Sequence, residues 1–250
     1  MELRPYRAIR YSPRVLADRG LSALIAPPSD PASAAAARAP ENIALITARA
    51  PQAAAETLRS WLAAGILLRE RRPGLWIYRQ TLPGEQGPRI VSMLIGLVRL
   101  PPSVPEAETP PAPDPTLAER LARLKALRAD FEPFRIRTRA PLAGALSTTR
   151  LPDLSAEDLR GVRHDAFRVT DYAQHVELQG LVKNVEGAPV DPPEPWEAAR
   201  AFAADPDAAK LSGARYKLCA IVDEVFLERG LPPPPVASGL FAFSLEDPVY

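Results

Sequence analysis

The densest group of residues able to do chemistry is the stretch PVDPPEPWEAARAF, residues 189–202. There Asp191, Glu194 and Glu197 stand among Pro192, Pro193 and Pro195. The spacing predicts a strand end, a tight turn and a helix start. Such junctions hold phosphate in many proteins through free backbone N–H groups. These residue types oppose that use, because the prolines remove donors and the carboxylates repel an anion. Asp191 with Glu194 three residues on reads as a capping box, and Pro192 suits the first helical position. The other reading of the same carboxylates is a site for Mg²⁺ or an amine.

Four arginines near the start, Arg4, Arg7, Arg10 and Arg14, are the best remaining anion-binding candidates, above all Arg7 and Arg10. Their alternation along an extended segment fits a solvated strand face as well. Glu106 and Glu108 read as solvated charges. His164 and His175 have no acid or thiol at a catalytic spacing. Cys219, in KLCAIV, reads as a small buried hydrophobe. A P-loop, G-x-S-x-G, H-E-x-x-H and the dinucleotide fingerprint are all missing from the sequence.

Composition narrows the classes further. A chain of 250 residues is long enough for one large or two small domains with a real core. Against 31 basic residues stand 30 acidic ones, for a net charge of +1. That balance speaks against nucleic acid or a membrane surface as a partner, since no long-range field steers the chain to a polyanion. One cysteine excludes an internal disulfide and a multi-thiolate metal site, and two histidines exclude a histidine-rich centre. No metal site is expected. The longest apolar run, Ile90 to Val98, is too short to cross a bilayer, and the N-terminus lacks the apolar core of a signal peptide. A cytoplasmic location is the expectation. The excess of arginine over lysine, with abundant Ala and Pro, fits the composition of a GC-rich bacterial genome.

The elements that must position these residues follow from period and punctuation. Extended structure is predicted at 6–11 and a short buried strand at 21–28. The Ala-rich segment 31–39 suggests a short helix, and 41–49 has strand character. Residues 50–67 read as a helix with Pro51 in its first turn and Gly65 closing it. Segments 74–82 and 89–100 form a hairpin. Residues 101–115 read as an acidic, proline-dense linker or loop. Residues 116–131 make an amphipathic helix through Leu117, Leu121, Leu124 and Leu127. Next come a strand at 131–139, a short helix at 151–161 with Ser155 as N-cap and Asp158 at N3, and a strand at 165–172. A helix from about Pro192 to Ala204, a strand at 214–226, a rigid break at 231–235 and a strand at 238–245 complete the chain. Strands and helices interleave without a regular βαβ rhythm, so the expected class is α+β, with irregular mixed sheets and flanking helices. The expected division is an N-terminal subdomain at 1–100, the linker at 101–115 and a C-terminal subdomain at 116–250.

The order of local patterns carries a resemblance. PYRAIRY near the start, APPSD at 26–30, Asn42-Ile43, SWLAAGIL, WIYRQ at 76–80, IGLVRL, AERLARLKAL and FRVTD at 167–171 occur together. In that order they resemble the bacterial family known as domain of unknown function 1015. Its members resemble, more distantly, the ParB/sulfiredoxin-like nucleotide-binding fold, which includes a free-serine kinase. The resemblance implies ParB/sulfiredoxin-like elements and a nucleotide site. A family motif of the form D-G-H-H-R-Y-E-A-A falls on Asp191 to Ala199, where glycine, both histidines and arginine are replaced and Asp191, Glu194, Trp196 and Glu197 stand in a degenerate version. A motif P-H-E-R-T falls on Pro105 to Thr109 and keeps only its outer residues. A motif P-T-H-R is missing near Pro234 to Ala237. Joint loss at three places implies a non-catalytic binding or regulatory descendant with no cofactor, acting on a small molecule or a protein partner, the latter through its proline-rich segments as extended ligands. The alternative is an ATP- or ADP-dependent phosphotransferase for a small amino acid or hydroxyl compound. It would use Asp30 or Glu194 as base or Mg²⁺ ligand and the N-terminal arginines for phosphate.

Overall fold

The computed structural model describes residues 2–25, 39–84, 87–101, 115–138, 150–158, 161–171, 187–191, 193–223 and 240–249. Asp30, His175, Glu106, Glu108, Pro192, the helix expected at 31–39 and the prolines at 231–235 lie outside these residues. The strands are β1 (Leu3–Arg4), β2 (Ala8–Tyr11), β3 (Leu67–Arg69), β4 (Leu75–Leu82), β5 (Arg89–Arg99) and β6 (Ala129–Asp130). They continue with β7 (Phe134–Thr138), β8 (Leu154–Glu157), β9 (Arg163–Val169), β10 (Gly187–Pro189), β11 (Tyr216–Asp223) and β12 (Ala242–Ser244). The helices are α1 (Pro13–Arg19), α2 (Leu21–Ile25), α3 (Ala44–Thr47), α4 (Pro51–Ala63), α5 (Pro115–Leu127) and α6 (Glu194–Ala204). The class is α+β.

Apolar alternation explains the larger sheet. Its eight strands run β10-β7-β11-β5-β4-β9-β8, with β1 added beside β5. All pairs are antiparallel except β11 with β7. In β4, Leu75 and Ile77 enter one core while Trp76 and Tyr78 enter the other. Strands β5 and β11 split in the same way: Leu94, Val98, Cys219 and Ile221 point to one side, and Met93, Leu97, Leu218 and Ala220 to the other. Burial on both faces is why the sequence here reads as nearly continuous apolar runs. Gly96 interrupts β5 because Leu3 crosses it. A Cβ there would stand 2.7 Å from Leu3 Cγ and 2.8 Å from Leu75 Cδ2.

The smaller sheet has four strands in the order β3-β2-β12-β6. Its Ile9, Tyr11 and Phe243 join Trp61 of α4 and Trp76 of β4 in the larger core. Strands from both sides of residues 101–115 pair within each sheet. Helix α5 packs between α4 and α6. It ends at Arg128, which takes the left-handed conformation (φ 48°) and donates its N–H to Leu124 O, a closure that usually falls to glycine. No helix among the described residues is long and apolar enough to cross a membrane.

Three expected elements differ. The strand at 21–28 is helix α2 through Ile25, with Leu21 and Leu24 buried one turn apart; a short apolar run fits either period, and here three-residue spacing prevails. The strand at 41–49 contains helix α3 instead. Buried Asn42 starts it by accepting from Ala44 N at 2.9 Å and donating to Ala23 O at 2.9 Å, so its amide replaces ladder bonds. The helix at 151–161 is the edge strand β8, paired to β9 from Leu154↔Ala166 to Glu157↔Arg163. Ser155 donates to Asp165 at 2.6 Å rather than capping, and Asp158 accepts from Val162 N across the turn to β9. Cross-strand pairing outweighed a local cap signal.

Candidate functional site

The turn before α6 is the natural starting point, because the sequence concentrates carboxylates there. Asp191 leaves β10 beside β7, and its carboxylate is claimed from that neighbour. Oδ2 accepts from Arg135 N at 2.6 Å, and Oδ1 accepts from Arg135 Nε at 2.7 Å and from Arg135 Nη2. The capping role expected for Asp191 is therefore not the one it takes. Pro193 occupies the N-cap with no side-chain cap bond, and its carbonyl accepts from Trp196 N at 3.0 Å and Glu197 N at 2.9 Å. A bidentate guanidinium is a stronger partner for a half-buried carboxylate than a helix N–H. Glu194 and Glu197 lie in the first turn, where negative charge favours the helix, and Glu197 also pairs with Arg200 at 3.3 Å. Trp196 packs on Phe134 with ring centroids 5.2 Å apart, fastening α6 to the core beneath β7.

Arg7 and Arg10 do not share a site with this turn. Arg10 Nε donates to Glu70 at 2.6 Å, Arg168 joins the same carboxylate at 2.8 Å, and Arg7 donates to Glu70 O at 2.9 Å and stands 3.8 Å from Asp247. They close the edge of the smaller sheet against the chain before β4. Arg14 is exposed on α1.

A small cavity of about 30 Å³ lies between α5, α6 and the β6–β7 connection, lined by Pro195, Ala198, Arg120, Asp130 and Lys217 among others. Lys217 is 2% exposed and Asp130 4%. The ammonium donates to both Asp130 carboxylate oxygens, at 2.9 and 2.8 Å, and to Glu132 O at 2.5 Å. Asp130 also accepts from Glu132 N and Leu218 N. All three ammonium donors are used and the cavity holds a water or two, not a substrate, so this pair is a strut between β6 and β11. A lysine inside KLCAIV was the sequence signal for it, since a charge in a buried strand requires a partner.

A second polar interior lies between β4 and β9. His164 shares a 2.6 Å hydrogen bond with the Tyr78 hydroxyl, to which Gln80 donates at 3.0 Å, and Asp158 Oδ2 stands 3.3 Å from His164 Nε2. Both rings are buried and stacked. Cys219 is fully buried, and burial pushes its thiol well above the ordinary range. Among the described residues no group of His, Cys, Asp or Glu is placed to hold a metal ion.

Two open clefts lie among the described residues: one of about 610 Å³ between α4, the end of α5 and the smaller sheet, and one of about 690 Å³ where the larger sheet ends against α6. The second gathers the most arginines from separate elements. Arg4 comes from the end of β1, Arg99 from the end of β5, Arg215 from the turn before β11 and Arg200 from α6; Glu2 and Tyr216 complete its polar wall. Register makes the meeting, because Tyr216 lies opposite Arg99 and Leu100 N donates to Arg215 O at 2.8 Å. Of these arginines the sequence singled out only Arg4. Arg99 and Arg215 end apolar runs at strand ends, a signal that marks an exit from the core and says nothing of which exits converge.

A family model described as "Protein of unknown function (DUF1015)" matches residues 3–190. The chain belongs to that family, as its local patterns implied. The match stops one residue before Asp191, so the degenerate motif at Asp191 to Ala199 stands on the resemblance alone. No curated protein and no solved structure matches the chain.

Proposed function

Taking that membership as the premise, we propose that the protein is a binding or regulatory member of its family with no catalysis at the turn before α6. One observation carries the reading: the Asp191 carboxylate is occupied by the Arg135 backbone N–H and guanidinium, and binds β10 to β7. A general base or metal ligand needs lone pairs directed at a substrate, and these are directed at a strand. Prolines at 193 and 195 remove two N–H groups from the first turn, and Glu194 and Glu197 fill its electrostatic field with negative charge. A nucleotide phosphate at that helix start would meet carboxylates where it needs donors.

Calorimetric titration of the full chain with ADP and with pyrophosphate, each with Mg²⁺, tests this. The expected result is that any ADP binding is unchanged in Glu194→Gln, because the turn before α6 offers carboxylates where a phosphate needs donors. A preference of about tenfold for ADP over pyrophosphate that is lost in Glu194→Gln would overturn the proposal. So would phosphoryl transfer from ATP or ADP to serine or another small hydroxyl compound that is lost in Glu194→Gln or Asp30→Asn.

A further inference from the structure

We infer that the arginine-lined cleft between β1, β5, α6 and the start of β11 is a binding site for a small organic phosphate. The inference is independent of the turn before α6, which lies at the other end of that helix.

The whole chain carries a net charge of +1, yet four guanidinium groups from four separate elements border one cleft, and among the described residues Glu2 is the one carboxylate in its lining. Like charges gathered in this way repel one another, and a concave wall focuses their field. Two of the four are partly offset. Arg4 donates to Glu2 at 2.9 Å, and Arg200 lies 3.3 Å from Glu197. The guanidinium groups of Arg99 and Arg215 have no hydrogen-bond or ion-pair partner among the described residues, although elsewhere arginines such as Arg10, Arg135 and Arg168 are tied to carboxylates. The Arg200 Nε is buried without an acceptor among the described residues, as are those of Arg120, Arg123 and Arg168 outside the cleft, so the unpartnered guanidinium groups of Arg99 and Arg215 are what distinguish it.

Shape and chemistry narrow the ligand. A volume of about 690 Å³ is within the usual range for small-molecule sites. Planar guanidinium forks match the oxygens of a phosphate in pairs, and arginine keeps its charge at any working pH. Leu100, Pro101 and Ala203 line the cleft beside the arginines and supply an apolar wall for an organic body. Tyr216, half-buried at the start of β11, adds an aromatic surface and a hydroxyl.

The test uses the full chain and pyrophosphate as the probe, with citrate as the comparison for a polycarboxylate, at physiological salt. Pyrophosphate is expected to bind saturably and more tightly than citrate. The variant Arg99→Ser/Arg215→Ser is expected to lose roughly a hundredfold in affinity, about one charge-assisted contact per arginine. Arg49→Ser/Arg71→Ser removes the same charge from exposed positions outside the cleft and is expected to change affinity by less than about threefold. Both cleft positions are exposed, so the variant should fold, and Arg215→Glu alone gives a second variant with the same expected direction. No saturable binding by the unaltered chain, tighter binding of citrate, or equal losses in the cleft and control variants would each overturn the inference. A nucleoside-dependent gain with ADP that Glu194→Gln removes bears on the proposed function instead, and leaves this result readable on its own.

Discussion

Replacing Lys217 by methionine removes the one cation that balances a buried carboxylate, and its cost can be worked from the contacts. Asp130 would keep two backbone donors, Glu132 N at 3.0 Å and Leu218 N at 3.3 Å, and would lose both bonds to the ammonium. Glu132 O would also lose its donor. Methionine fills most of the lysine stem's volume, so packing changes little and the uncompensated charge dominates. Breaking one side of a buried ion pair costs about 3–5 kcal/mol. For a chain of this size that corresponds to a fall in Tm of roughly 6–20 °C. The double variant Lys217→Met/Asp130→Asn removes the charge as well as its partner, and should recover more than half of the loss. Urea denaturation followed by tryptophan fluorescence measures both, since Trp61 and Trp76 lie in the core. A single-variant cost below about 1 kcal/mol, or a double variant as unstable as the sum of the two singles, would refute the strut. A change in ligand binding at unchanged stability would refute it as well, and would make Lys217 a candidate reactive amine.

Three other outcomes follow from the same structure. Asp191→Ala should cost about 2 kcal/mol by freeing Arg135 from its half-buried partner, while pyrophosphate affinity stays unchanged; loss of binding without loss of stability would contradict the structural role given to Asp191. Stability should fall as pH rises above about 8.5 and more steeply above about 10, because burial holds Cys219, Tyr6 and Tyr11 protonated in the native state while the unfolded chain releases those protons. Cys219→Ala should remove about 2 kcal/mol of that decline by pH 10 in denaturation curves, and an unaltered slope would refute the assignment. Arg128→Gly should stabilise by about 0.5 kcal/mol, relieving a left-handed conformation at the sacrifice of an exposed contact to Glu246; destabilisation of that size would show the side chain to matter more than its backbone.

The parts legible in the sequence were those in which one local signal had no rival. Helices α4, α5 and α6 carry long apolar stripes, and the β4–β5 hairpin carries alternation bounded by Gly and Pro, so each appears close to where it was expected. Helix α2, helix α3 and strand β8 are short, and in short segments tertiary partners decide: Asn42 reaches back to Ala23, and β8 is held by β9. The same limit separates the two charged features of α6. Asp191, Glu194 and Glu197 are neighbours in sequence, so they drew attention at once, yet Asp191 is consumed by Arg135, which lies 56 residues away. Arg99 and Arg215 attract none in sequence, and the antiparallel register of β5 and β11 places them at one mouth. Helix α6 thus has carboxylates in its first turn, where the backbone dipole is positive, and contributes Arg200 farther along to the cleft. The carboxylates suit the helix dipole, and Arg200 pairs with Glu197 one turn before it. What the helix does not account for is the pair Arg99 and Arg215, which belong to strand ends with no dipole to balance. Their convergence at one cleft is the feature of this fold on which the inferred phosphate site rests.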